Sequence, residues 1–448
     1  MSPTDTIVAR ATPPGRGGIA VIRVSGPAVP QLAQQLLGAL PQPRHATLAG
    51  FRDAGGEALD LGLALYFPAP HSFTGEDVLE LHAHGGHVLA ELLVERVMAL
   101  GARPARPGEF TERAFLNDKL DLTQAEAIAD LIDADSQAAA RAAQRSLRGD
   151  FSAAVLALTE EVTALRTWVE AAIDFPDEDI DFLGAEELAA RVAGVAASFR
   201  RLEEATRQGC LLREGLRVVI AGRPNAGKSS LLNALAGYAA AIVTPVAGTT
   251  RDVIREQLDI DGLPIHIIDT AGLREAQDLV EAEGVSRAQA ELARADHALV
   301  VIDAAADDEA TLAGLLAELP AGLPRTLVRN KIDLTGEPAG SVPGEPGALR
   351  VSALTGAGLP ELRRRLREVA GYQPAGEGSF TARRRHLESL RQAREHFEAA
   401  CRQLREQQAG ELMAEELREV QNALGEITGE FSSEDLLGRI FGAFCIGK

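Results

Sequence analysis

The stretch LRVVIAGRPNAGKSSLLNAL joins an apolar strand, a glycine-bearing loop and an amphipathic helix, and in it Gly222, Gly227, Lys228 and Ser229 fit G-x-x-x-x-G-K-S. A loop of this kind surrounds phosphates with backbone N–H groups and a helix N-terminus. Its lysine reaches the β and γ oxygens and its serine holds Mg2+. Asn225, Ala226 and Ser230 fill out the phosphate-contacting run. A second apolar strand, LPIHIIDTAG, ends in Asp269, suited to hold Mg2+ through water. Thr270 and Ala271 follow it, then Gly272, whose backbone N–H is free to meet a γ-phosphate. A third strand, HALVVID, precedes TLVRNKID. There the Asp333 carboxylate can accept two hydrogen bonds from a guanine edge, a donor pattern adenine lacks, while Asn330, Lys331 and Ile332 frame the pocket. Ser352, Ala353 and Leu354 after LRV complete a base-contacting loop.

The order and spacing of these motifs resemble the Ras-like GTPase superfamily across 215–371, which implies a GTP-hydrolysing enzyme. Two departures matter. Where Ras-type enzymes carry a water-orienting Gln after DTAG, this chain has Leu273, which cannot position a nucleophile. The segment LREAQDLVEAEG offers Glu275, Glu281 and Glu283 instead, and Glu281 is expected to be the catalytic carboxylate. The second departure is IVTPVAGTTRD, where Thr250 is placed to close the Mg2+ shell alongside Ser229. With Asn225 in the phosphate loop, this segment resembles the potassium-activated branch of the superfamily. The resemblance implies K+ held by Asn225, Thr244, Val246 and Thr249, in place of an arginine finger. Pro245, Ala247 and Gly248 belong to the same nucleotide-contacting loop.

The elements around these motifs change period twice. In LDLGLALYF the residues Leu59, Leu61, Leu63, Leu65 and Phe67 alternate strictly, predicting a half-buried strand with these side chains on one side. IVARATPPGRGGIAVIRVSG reads as strand, Pro/Gly turn, strand. From about 119 the period is helical: Thr123 and Glu126 have capping-box spacing, and Val155, Leu158, Val162, Leu165, Val169 and Ala172 recur at threes and fours until Pro176. Helical spacing resumes after the linker GYQPAGEGS, with Leu387, Leu390, Phe397, Cys401 and Leu404, then Met413, Leu417, Val420, Leu424 and Ile427. The expected fold is multidomain α/β plus α-helical. An N-terminal α/β domain spans 1–118, a helical domain is built from 119–212 and 376–448, and a P-loop G domain at 213–375 is inserted into it.

A net charge of −20 argues against a wholly basic surface, so any nucleic acid must be held by a local patch. The acidic run DFPDEDIDF reads as a solvated loop. Cys210, Cys401 and Cys445 are too few and scattered for a disulfide framework or a zinc set, and no apolar stretch of ~18 residues could span a bilayer. A cytoplasmic protein with no membrane association is expected. CIGK at the end has the length of a prenylation box, but Gly447 and Lys448 do not suit that signal. Cys445 instead reads as a thiol held near a pocket by the apolar helix before it and left mobile by Gly447.

DTIVARATPPGRGGIAVIRVSG (5–26), HSFTGEDVLELHAHGG (71–86), RPGEFTERAFLNDKLDLTQAEAI (106–128) and the terminal FCIGK resemble the MnmE/TrmE-type tRNA modification GTPases, end to end. That resemblance implies a homodimer whose N-terminal domains bind 5,10-methylenetetrahydrofolate, with 5-formyltetrahydrofolate as its analogue. It implies an FAD-containing partner subunit of the MnmG/GidA type completing a heterotetramer, and tRNA as substrate, modified with an aminomethyl-type group at C5 of the wobble uridine. Arg23, Glu80, Lys119 and Lys448 would meet the folate, and Cys445 would act at its site. Physically, Arg23 lies in the apolar strand IAVIRV and needs a partner, and Glu80 points away from the face of Leu79 and Leu81. His82 and His84 share the face of Glu80 and are assigned no metal. Two other readings of the chain are a GTPase switch in RNA or ribosome assembly and a folate enzyme merely regulated by GTP.

Overall fold

The computed structural model describes residues 5–174, 186–238, 255–269, 295–317, 319–320, 322–373, 379–407, 409–431 and 434–447. They fall into two compact units, Met1–Ala129 with Leu147–Ala196 and Ser389–Lys448 in one, and Asp130–Ser146 with Ala197–Glu388 in the other. Among the described residues no helix is long and apolar enough to cross a membrane.

In the first unit, β1 (Ile7–Arg10), β2 (Ile19–Ser25), β3 (Thr47–Arg52), β4 (Ala58–Phe67), β5 (Val78–His84) and β6 (Arg103–Pro104) make one sheet in the order β3-β4-β5-β2-β1-β6. All neighbours are antiparallel except β1 and β6. The helices Val29–Leu37 and His87–Ala99 cover one face, burying Leu32, Leu36, Leu93 and Val97 against Ile22, Val24, Leu81 and Ala83. Strand β4 turns the other way from its expected orientation. Ala64 and Tyr66 meet the helix-covered core, whereas Leu61 and Leu63 are 58% and 41% exposed, beside Leu48 at 67%. Alternation says which side chains share a face; it does not say which face is covered.

A second correction concerns the helix Leu122–Ile132. Its reciprocal cap is formed by Asp121 and Gln124: the Gln124 N–H donates to Asp121 Oδ1 at 2.9 Å and the Asp121 N–H to Gln124 Oε1 at 3.0 Å. Thr123 and Glu126, the expected pair, are buried instead, with Thr123 Oγ1 bonded to Asp121 at 2.7 Å. The cap begins two residues earlier because Asp121, immediately before the helix, stands where a cap side chain reaches the free N–H three residues on, that of Gln124. The helix Asp150–Asp174 buries Val155, Leu158, Val162, Leu165 and Val169, as its period predicts. Helix Gly410–Thr428 packs on it through a face that includes Met413, Leu417, Val420, Leu424 and Ile427, all fully buried. Helix Glu434–Gly442 then sets Phe441 and Phe444 against Phe115, Leu122 and Ala125.

In the second unit, β7 (Leu216–Ala221), β8 (Arg255–Ile260), β9 (Leu263–Asp269), β10 (His297–Asp303), β11 (Arg325–Asn330), β12 (Gly340–Ser341) and β13 (Ala348–Arg350) form a sheet ordered β12-β13-β11-β10-β7-β9-β8. The five inner strands are parallel, and β8 and β12 close the edges antiparallel. Because β7 lies between β9 and β10, the chain order reverses on its two sides, and a crevice opens at its carboxyl end. Near the segments that lead into and out of this sheet, Asp130 accepts from Arg213 Nε and an Arg383 guanidinium nitrogen, both at 2.8 Å.

Candidate functional site

Every described nucleotide residue named from the sequence lies at or beyond the carboxyl end of a parallel strand. β7 runs into the loop 222–227 and the helix Lys228–Tyr238, and register places Ile220 beside Asp269, the last residue of β9. Asp303 pairs with Asn330 across β10 and β11, and Arg329 with Arg350 across β11 and β13. Five sequence-distant segments therefore converge on one edge.

The buried Asn330 joins two of these segments. Its Nδ2 donates to the Ala226 carbonyl at 3.0 Å, and the Ala353 N–H donates to its Oδ1 at 3.1 Å. Gly227, at φ +91°, lies so close above this amide that a Cβ would approach Nδ2 to 2.3 Å. The glycine is thus required both by a left-handed backbone and by the neighbouring side chain. Lys228 Nζ donates to the carbonyls of Gly222 and Arg223 at 2.9 and 3.1 Å, which holds it across the mouth of the loop, and Ser229 and Ser230 are exposed at the helix start. Asn225 is exposed at φ +67°, a conformation Asn tolerates.

The base side is equally constrained. The fully buried Ser352 donates to Asp333 Oδ1 at 2.5 Å, fixing the exposed carboxylate in place; Ile332 is buried and Leu354 is 84% exposed above the loop. Lys331 pairs with Asp303 at 2.7 Å. Burial would raise the Asp303 carboxyl, but Lys331 and the N–H groups of Ala305 and Ala306 hold it below its ordinary value. Asp303 was not singled out from the sequence, although its place at the end of HALVVID, level with Asn330, marks it. Thr244, Pro245, Val246, Ala247, Gly248, Thr249, Thr250, Thr270, Ala271, Gly272, Glu281 and Lys448 lie outside the described residues.

On the sheet of the first unit, Ala9, Arg23, Glu80 and Leu65 are successive cross-strand partners on the face opposite the helices Val29–Leu37 and His87–Ala99. Arg23 donates to Glu80 Oε1 at 2.9 Å and stands over the rings of Phe73 and Phe110 at 5.7 and 5.8 Å. His82 Nε2 approaches Glu80 Oε2 at 3.4 Å. The pair is half-buried, with one Glu80 oxygen turned from Arg23. Lys119 Nζ donates to the Pro70 carbonyl at 3.0 Å. An ionic network that the sequence does not announce is centred on the buried Arg113 and Glu109: Arg113 binds Asp5, Glu76 and Glu109, and the more exposed Arg103 binds Asp5 and Glu109. Burial works to raise Glu109, yet Arg103, the Arg106 N–H and Arg113 hold it at about 2.

Cys401 and Cys210 are buried, and burial pushes Cys210 up to about 12. Cys445 alone is exposed. It lines a cavity of about 640 Å3 with Arg10, Thr12, His87, Glu91 and Ile446. Ala9, the register partner of Arg23, also lines it, whereas Arg23, Glu80 and Lys119 do not. The tail is docked rather than loosened. The Gly108 N–H donates to the Cys445 carbonyl, and Gly447, buried at φ +97°, leaves no space for a Cβ, which would fall 2.3 Å from the Arg10 carbonyl oxygen. Gly447 thus serves close approach, where mobility was expected.

Comparison with known proteins covers both units. Residues 6–119 match the family described as GTP-binding protein TrmE N-terminus, and residues 122–445 match the MnmE helical domain. Proteins from Yersinia pseudotuberculosis and Yersinia pestis bv. Antiqua, each named tRNA modification GTPase MnmE, are 58% identical over the whole of both chains. Among solved structures, the G domain of the T. maritima FeoB iron transporter is 28% identical, covering 35% of this chain and 98% of that one at a TM-score of 0.26.

Proposed function

The chain belongs to the MnmE family of tRNA modification GTPases, and from that premise we propose that it couples GTP hydrolysis to modification of C5 on a wobble uridine of tRNA. A reduced folate is the one-carbon donor and an FAD-containing subunit the partner. In the G site Lys228 meets the β and γ phosphates, Ser229 and Thr250 hold Mg2+ with Asp269 behind water, and Asp333, set by Ser352, reads guanine. The close approach of Gly227 to Asn330 supports this reading, since only a residue without a Cβ lets the phosphate loop pass against the amide that also holds the base-contacting loop. Glu281 orients the attacking water in place of the absent glutamine. K+ at Asn225, Thr244, Val246 and Thr249, together with Mg2+, would supply positive charge as the β–γ bond breaks.

The observation that carries the modification half is a second polar site that a bare switch does not need: Arg23 and Glu80, ion-paired on an open sheet face between two aromatic rings. Glu80 Oε2, which leans on His82 rather than Arg23, and the His82 ring suit the N–H edge of a pterin, and Lys119 and Lys448 suit its carboxylates. A bound methylenetetrahydrofolate would supply carbon at the formaldehyde level. Cys445 acts on the uridine or the one-carbon unit from the neighbouring cavity, which Ala9, the register partner of Arg23, also lines. The exposed Leu48, Leu61 and Leu63 on the same sheet support a homodimer, because a contiguous apolar strip beside a polar site is what a second copy would cover. The FAD-containing subunit then completes a heterotetramer.

The test combines two measurements on the full chain. Equilibrium dialysis with 5-formyltetrahydrofolate is expected to show binding by the parent and its loss in Glu80→Ala. Equal binding by both removes the folate assignment. Normal wobble uridine in tRNA from cells lacking the chain removes the modification reading altogether and leaves the RNA-assembly switch in its place.

A further inference from the structure

The helix Gln137–Arg148 stands apart from the rest of this acidic chain. From Ser136 to Gly149 there is no carboxylate, and Arg141, Arg145 and Arg148 recur at four and three residues, which sets them along one side with rises of about 6 and 4.5 Å. The opposite side is anchored: Ala139, Ala142, Ala143 and Ser146 are buried. The Thr381 N–H donates to Ser146 Oγ at 2.9 Å, and the Ala139 N–H donates to Ser136 Oγ at 3.0 Å at the helix start. Arg141 and Arg148 are exposed and Arg145 partly so.

Many arginines elsewhere carry carboxylate partners, as Arg103, Arg106, Arg191, Arg329 and Arg418 do. Among the described residues, none of the three on this helix has one. The nearest acids in sequence lie outside the stripe: Asp133 and Asp135 precede the helix, Asp150 follows it, and Asp130 is taken by Arg213 and Arg383. The remaining exposed positions on this side include Gln137 and Gln144, with no aromatic or large aliphatic residue to anchor a protein partner.

We propose that this arginine stripe is a docking surface for the phosphate backbone of the tRNA substrate. It answers the requirement set by a net charge of −20, that nucleic acid be gripped by a local patch. Planar guanidinium forks on a rigid helix meet phosphates without reading bases, so the contact positions the RNA and carries no sequence preference. The inference rests on the assignment of tRNA as substrate.

The experiment uses the full chain and an unmodified tRNA transcript bearing a wobble uridine, titrated by anisotropy across a salt series. Replacing all three by Gln (R141Q, R145Q, R148Q) is expected to lower affinity at least about tenfold, and to reduce the slope of log affinity against log salt by about 3. The corresponding triple Lys variant is expected to recover most of both. The pair R402Q and R405Q, removing two exposed arginines elsewhere, is expected to leave the slope at the parent value. Thermal melting of the triple Gln variant at the parent temperature excludes a folding defect; if it melts early, the Lys variant carries the comparison. The proposal is overturned if the Gln or Lys series binds RNA independently of charge at these positions, if R402Q and R405Q lose as much, or if the parent binds no transcript. Loss of the FAD-containing subunit in place of tRNA also overturns it. A parent that binds tRNA while its triple Gln variant binds equally well sinks this inference alone; unaltered wobble uridine in cells lacking the chain sinks the substrate assignment.

Discussion

Replacing Asn330 by Ala tests how far the guanine and phosphate halves of the G site depend on one side chain. The amide is 1% exposed and joins the Ala226 carbonyl to the Ala353 N–H through bonds of 3.0 and 3.1 Å. Removing it leaves two backbone groups without their partners, each costing about 1–3 kcal/mol when buried. Water entering the space left by the side chain brings the sum toward the lower end, about 2–3 kcal/mol, which is on the order of 30- to 150-fold in an equilibrium constant. Binding of a fluorescent GTP analogue is therefore expected to weaken at least about tenfold, and GDP binding to weaken with it, because one of the two bonds supports the phosphate loop. The same geometry makes a double-mutant expectation. Gly227→Ala alone is expected to weaken binding to a measurable degree, since its Cβ would press to 2.3 Å on the Asn330 amide. In the Asn330→Ala background that collision disappears and only the strain of φ +91° remains, so the two losses are less than additive. Affinities for GTP and GDP within about threefold of the parent, or strictly additive losses, would refute the bridging role.

Three further outcomes are expected. GTP hydrolysis should be stimulated by K+ far more than by Na+, and Asn225→Ala should lose that preference; a rate indifferent to the cation contradicts the K+ assignment. Gly447→Ala should release the tail from Arg10 and abolish tRNA modification while GTP is still cleaved, whereas full modification would show that tail docking is immaterial. Glu109 has a folded-state value of about 2 against an ordinary 4.5, so its contribution is complete above about pH 4.5 and is lost as the pH falls toward 2. The acid-induced fall in melting temperature across that window should be visibly smaller in Glu109→Gln, and an unchanged profile would remove Glu109 from the explanation.

The placing of the described G-site candidates was legible because a glycine loop before a helix, and Asn330, Lys331 and Asp333 at and after the end of a strand, follow a pattern that can be read residue by residue. The helical packing was legible for a similar reason, since a period of 3.6 names the buried face of Asp150–Asp174 directly. Strand β4 was not, because a period of 2 leaves two equivalent faces and the covering helices come from elsewhere in the chain. The Arg113 network was hidden because its members, Asp5, Glu76, Glu109 and Arg113, are distributed over more than a hundred residues. Gly447 was misread for a local reason: a glycine near a terminus suggests looseness until a neighbouring backbone, here Arg10, is seen against it.

The coupling of a GTP site to a separate modification site is tested most directly by the wobble nucleoside itself. Cells lacking the chain would be complemented with the parent, with Lys228→Ala or with Cys445→Ser, and their tRNA hydrolysed for nucleoside analysis. The parent is expected to restore the C5-modified uridine and both variants to leave it unmodified, Lys228→Ala through the G site and Cys445→Ser with GTP hydrolysis intact. Parental levels of the modified nucleoside with either variant would contradict the coupling.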